Sequence, residues 1–232
     1  MTLIAVIVQG VLGGMRVVLD ERWLAMIHGV IGPAYFGLTV CLVIWTSRWW
    51  HEQREVGTPS TIDLRAAGLL LVSVTATQMV LGAVLRHLPP EYSPQTFLAI
   101  AQFHLLFAAI VTGVWIAIAL WARRHRSAAT GWAIRTAGGM LLGQVLLGLA
   151  TWCYKYAVPT WVEERTGWTF GTIVADSWWQ SITVTAHQAN GSLLLATCLW
   201  LLLVAWRTAP ANVMVPVPST TQRSGPLRRA PA

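Results

Sequence analysis

TFLAIAQFHLLFAAIVTGVWIAIALW, residues 96–121, runs for 26 positions without a formally charged side chain and holds one histidine, His104. The hydrocarbon layer of a bilayer is about 30 Å thick and a helix rises about 1.5 Å per residue, so roughly 20 consecutive apolar residues suffice to cross it. This stretch reads as a membrane-spanning helix. Outward from it, residues 2–19, 23–47, 64–88, 130–152 and 181–206 have the same character. The sequence therefore predicts an all-α integral membrane protein of about six transmembrane helices. With 55% of the 232 residues hydrophobic and 11% charged, an ordinary soluble domain is excluded.

Ten of the fourteen tryptophans (Trp23, Trp45, Trp49, Trp50, Trp121, Trp132, Trp152, Trp178, Trp179 and Trp206) fall near the ends of these stretches. That is where an amphipathic ring sits at the headgroup level. The net charge of +7 does not point to nucleic acid, because the basic residues are sorted by loop. Eleven of sixteen follow the second, fourth and sixth stretches, among them Arg48, Arg65, Arg123, Arg124, Arg126, Arg135 and Arg207. The other side carries Arg16, Arg22, Arg86, Lys155 and Arg165 against six acids. By the positive-inside rule both termini are expected in the cytoplasm, the membrane being a bacterial inner membrane. Cys41, Cys153 and Cys198 show neither a disulfide framework nor zinc-site spacing.

The pattern Gln-x-x-Leu-Gly occurs three times, at Gln9–Gly13, Gln78–Gly82 and Gln144–Gly148, each time in an odd-numbered span. The even-numbered span that follows holds one histidine: His28, His104 or His187. The chain thus reads as three copies of one helical hairpin. Residues four apart share a helix face, so each copy sets an amide one turn from a glycine. For one copy, hydrogen-bonded helix packing is the simpler account; three matched copies point to an inherited unit.

An ionisable side chain inside a span costs roughly 2 kcal/mol or more and usually lines a functional cavity. His28, His104 and His187 lie at similar depth in the outer half of their spans, each followed one turn later by a small residue, Gly32, Ala108 or Gly191. A flat macrocycle fits against such a face. Two histidines at equal depth on facing helices suit six-coordinate haem iron. Arg16 and Arg86, at the outer ends of odd spans, are placed to pair with haem propionates or to snorkel, and His87 is a lesser candidate. No phosphate-binding glycine loop, HExxH or aspartate-rich pair is present. His51 and His125 fall in basic loops, where solvation accounts for them.

The segments VQGVLGGMRVVLDERWLAMIHG (8–29), QMVLGAVLRH (78–87) with AQFHLLFAA (101–109), and QVLLGLAT (144–151) with TVTAHQANGSLLLAT (183–197) resemble the haem A synthase family of cytochrome oxidase assembly proteins. The likeness covers residues 1 to about 207. It implies two pseudo-symmetric four-helix bundles, each binding a haem through two histidines of its even-numbered helices. Residues 64–207 correspond to the complete bundle, with His104 and His187 ligating a resident haem b. Residues 1–50 correspond to half of the substrate-haem bundle, with His28 as one ligand of haem O. Gln9, Gln78, Gln144, Gly32, Gly191, Arg16, Arg86 and His87 are then the expected haem-lining residues. The implied activity is oxidation of a haem O methyl group to the formyl group of haem A.

The family's first hairpin, which carries its catalytic glutamate and the other substrate-haem ligand, has no counterpart here, so the catalytic residue is left unassigned. Expected partners are haem, lipid, haem O synthase, an electron-transfer protein and a chain supplying the missing hairpin. A b-type membrane cytochrome or haem carrier is the alternative. Residues 51–63 are expected to form a cytoplasmic loop, 153–180 an outer loop, and 208–232 a disordered tail.

Overall fold

A computed structural model describes residues 2–52, 63–125, 128–158, 160–167 and 177–208, with positions 124 and 125 as backbone only. The expected tail and most of the 51–63 loop lie outside these. Among the described residues the secondary structure is entirely helical. The elements are α1 (Thr2–Val18), α2 (Arg22–Thr46), α3 (Arg48–Glu52), α4 (Leu64–His87), α5 (Pro94–His125), α6 (Ala128–Tyr156), α7 (Thr160–Thr166) and α8 (Trp178–Thr208).

Five of these, α2, α4, α5, α6 and α8, are long and apolar enough to cross a membrane. The sixth expected span, α1, is apolar but has 17 residues, which makes it about 26 Å long and slightly short of the hydrocarbon thickness. The break after it is local. Asp20 adopts a left-handed backbone (φ 49°), and Leu19 N–H donates to the Met15 carbonyl at 2.9 Å, so α1 turns tightly into α2. Aspartate tolerates that region better than a β-branched residue would. At the other end of the molecule Asp63 caps α4, its carboxylate accepting from Arg65 N–H at 2.9 Å. The segment expected as the 153–180 loop differs in part: α6 continues to Tyr156, and residues 160–166 form the short helix α7.

Helices α4, α5, α6 and α8 close a ring, α4 packing on α5 and α8, and α6 packing on α5 and α8. Helix α2 lies along the outside of this ring against α4 and α8, and α1 packs on α2. The approach is close where side chains are small. A Cβ on Gly68 of α4 would lie 3.3 Å from Leu202 Cα of α8. Gly138 of α6 receives the Trp115 ring of α5, whose Nε1–H donates to the Ile134 carbonyl at 3.0 Å.

The buried apolar cluster is confined to one end of the ring. It comprises Leu64 and Leu71 of α4, Val111, Ile118 and Ala122 of α5, Ala133, Ile134 and Leu141 of α6, and Leu194, Cys198, Leu201 and Ala205 of α8. These lie in the first half of α4 and α6 and the last half of α5 and α8, so by helix direction they share one end. The cluster stops at Val111 and Leu194, each seven residues from the histidine on its own helix, about 10 Å. The largest apolar cluster thus holds one half of the bundle, while in the other Phe97, Trp152 and Tyr156 pack on one another near the end of the ring.

Same-end basic and aromatic side chains tie the packed half to α3. Arg207 Nε donates to the Trp50 carbonyl at 2.8 Å and its guanidinium lies over the Trp50 ring. Arg65 reaches the Trp206 carbonyl and stacks on the Trp206 ring.

Candidate functional site

His28, His104 and His187 stand six, ten and nine residues into α2, α5 and α8, all toward the end opposite the packed core. In each hairpin the histidine ring lies on the glycine of the Gln-x-x-Leu-Gly segment. A Cβ on Gly13 would fall 3.0 Å from His28 Cε1, one on Gly82 3.1 Å from His104 Cε1, and one on Gly148 3.1 Å from His187 Cε1. Any larger residue would push the ring off the helix. The same contact thus recurs in α1/α2, α4/α5 and α6/α8, and it explains why glycine stands four residues after each glutamine.

The glutamines close the arrangement from the other side. Gln9 Nε2 lies 2.8 Å from where a Cβ of Gly32 would be, and Gln144 Nε2 lies 3.2 Å from that of Gly191. Gly32 and Gly191 therefore carry a glutamine amide on the face that the sequence offered to a macrocycle. Spacing tells which residues share a face; it does not tell which neighbour covers it. Gln78 Nε2 is 3.3 Å from His104 Nε2, and Gln144 Nε2 is 3.4 Å from His187 Nε2. The Nδ1 atoms of all three histidines are buried and close no hydrogen bond.

His104 and His187, on diagonally opposite helices of the ring, face each other with ring centres 6.5 Å apart and planes inclined at 67°. His28, on α2 outside the ring, has no such ring partner among the described residues. Nor does any group of three or more His, Cys, Asp or Glu side chains come together there in a way that would hold a bare metal ion.

Above the histidines several basic side chains come within reach of one another. Arg86 of α4 donates to Gln188 Oε1 of α8, the residue beside His187. Arg16 of α1 is close enough to Arg86 and to His28 for their charges to interact. His87 lies in the field of Arg86, Arg16, Arg22 and Lys155. The basic residues assigned from sequence to one side of the membrane are thus gathered at one end of the fold, and α2, α4 and α8 bring Arg16 and Arg86 together.

Three residues of the bundle escaped sequence reasoning, two beside the histidines and one in the packed half. Asn190 donates through Nδ2 both to the Met140 carbonyl and to Gln144 Oε1, each at 2.8 Å. Gln188 receives Arg86, and its amide approaches Gly29 beside His28. Trp115 fills the notch at Gly138. A signal for Asn190 was present: it follows His187 by three residues, on the same helix face of a membrane-length helix.

Compared with family models, curated proteins and solved structures, the chain matches none.

Proposed function

We propose that this chain is a haem A synthase-like membrane oxidoreductase, built around a resident haem b held between His104 and His187. The observation that carries the reading is the 6.5 Å separation of those two imidazoles. A metal-bound histidine nitrogen lies about 2 Å from its metal, so two rings on opposite sides of one iron have centres about 6 Å apart. The donor set supports a macrocycle over a bare ion. A structural zinc site takes about four protein ligands, whereas iron that brings four ring nitrogens needs only two. The apolar cluster ends seven residues short of both histidines, so these imidazoles lie outside the packed core. Arg86 and Arg16 at its mouth suit carboxylates, since a guanidinium donates two parallel hydrogen bonds to such a group.

In this reading the haem, when bound, supplies one-electron chemistry, and the protein supplies position and electrostatics. His104 and His187 hold the iron. Gly82 and Gly148 let the Cε1 edges of their rings approach α4 and α6. His28, against Gly13, would offer an imidazole to the substrate, haem O; taking its methyl group to a formyl group adds the oxygen of one water and releases four protons and four electrons, the electrons passing to an electron-transfer partner.

Among the described residues no imidazole ring pairs with His28, which favours a second reading, a b-type cytochrome or haem carrier. The two separate in a host lacking its own haem A synthase but making haem O. Haem b should co-purify with the chain, and haem A should accumulate when a hairpin supplying a second histidine and a carboxylate is co-expressed. Haem b with no haem A in either case would leave the cytochrome reading; protein without any haem would remove both.

A further inference from the structure

Hydrogen-bond donors and acceptors around His187 can be followed in one direction only. Asn190 Nδ2 faces two carbonyl oxygens, Met140 O and Gln144 Oε1, both at 2.8 Å. An amide nitrogen has two protons to give and its oxygen has none, so these two acceptors fix which way the Asn190 amide points. Gln144 Oε1 is then occupied as an acceptor. Its NH2 is what remains to face His187 Nε2, at 3.4 Å. A nitrogen that meets a donor presents a lone pair, which in a neutral imidazole puts the proton on Nδ1.

His104 lacks this chain. Gln78 Nε2 lies 3.3 Å from His104 Nε2, but Gln78 Oε1 is buried without a hydrogen-bond partner, so nothing sets the orientation of that amide. The residue three after His104, corresponding to Asn190, is Phe107.

We infer that Asn190 is a positioning residue that locks His187, through Gln144, in the tautomer whose Nε2 carries a lone pair, the one a metal would take in place of the Gln144 amide, whereas the His104 tautomer is left unset. A histidine ligating through Nε2 needs that tautomer, and the partner of its other nitrogen commonly changes metal affinity by about 10- to 100-fold. The lock belongs to the haem-free protein; its consequence for iron rests on the haem reading above.

The test is nitrogen NMR of the haem-free full chain in detergent, with labelled histidine and resonances assigned through His104→Ala and His187→Ala. His187 is expected as the Nδ1–H tautomer. Asn190→Leu frees the Gln144 amide to turn and should give a tautomer mixture. Asn190→Asp, studied at about pH 8, accepts but cannot donate, so Gln144 turns its NH2 toward the carboxylate and its oxygen toward His187. The His187 proton should then move to Nε2. The His104 signals, whose glutamine does not touch Asn190, report an intact bundle. If Asn190→Leu disturbs them, the near-isosteric Asn190→Asp carries the test. Haem titration should show a loss of about 10-fold or more in Asn190→Asp. A His187 ring with its proton on Nε2 in the unaltered chain, or unchanged by Asn190→Asp, would overturn the lock while leaving the bis-histidine reading intact. Failure of the unaltered chain to bind haem would do the reverse.

Discussion

Gly82→Ala and Gly148→Ala place one methyl group under the two imidazoles and leave every polar atom unchanged. The added Cβ would lie 3.1 Å from His104 Cε1 or His187 Cε1. Optimal carbon–carbon separation is about 3.5–4.0 Å, so each ring must retreat by roughly half an ångström. A ring that is free swings away at little cost. One held to an iron cannot, and the strain, typically 1–3 kcal/mol for one extra methyl group in a filled space, falls on the loaded state. At about 1.4 kcal/mol per factor of ten, haem affinity should drop by about 5- to 150-fold for either variant. Two controls isolate the cause. Gly13→Ala creates an equivalent 3.0 Å contact with His28, outside the four-helix ring, and should leave affinity at the His104/His187 site unchanged. Gly139→Ala, with open space around its Cβ, should be neutral at every site. The assay is titration of purified haem-free protein followed by Soret absorption. Wild-type affinity in both Gly82→Ala and Gly148→Ala would refute the claim that these rings are held in place when haem binds.

Replacing Arg86 by Gln should weaken binding of haem with free propionates by about 3- to 30-fold while sparing its dimethyl ester, because a guanidinium–carboxylate pair is what the substitution removes. Equal loss for both pigments would assign Arg86 a packing role through Gln188 alone. Gly138→Ala drives a Cβ into the Trp115 ring, which is tied to Ile134 and has no small movement available, so a loss of about 1–3 kcal/mol and a lower melting temperature are expected. Cysteine labelling from the outer side should tag Glu164→Cys and spare Glu52→Cys, as the arginine asymmetry requires. The opposite pattern would reverse the orientation.

The spans were legible in the sequence because length and apolar composition suffice to define them. Their ends were not. Helix α5 begins at Pro94 and continues to His125, and α6 reaches Tyr156, because helices run on through the interface after the apolar run stops. The matched depth of His104 and His187 could be read from spacing. Their facing geometry could not, since it depends on how α4, α5, α6 and α8 close into a ring. The glutamine motif was visible as a repeat, but which side chain covers each glycine was not. Glycines that looked like open faces, Gly32 and Gly191, carry Gln9 and Gln144, while Gly13, Gly82 and Gly148 carry the histidines. Periodicity fixes the face of one helix and is silent about its neighbour.

The most direct measurement is the low-temperature electron paramagnetic resonance and optical spectrum of the chain loaded with one equivalent of haem, compared among His104→Ala, His187→Ala and His28→Ala. A low-spin six-coordinate signal is predicted for the unaltered chain and for His28→Ala, with loss of that signal in each of the other two. A low-spin signal that survives both His104→Ala and His187→Ala, or disappears with His28→Ala, would contradict the assignment of the iron to the 6.5 Å gap between those two rings.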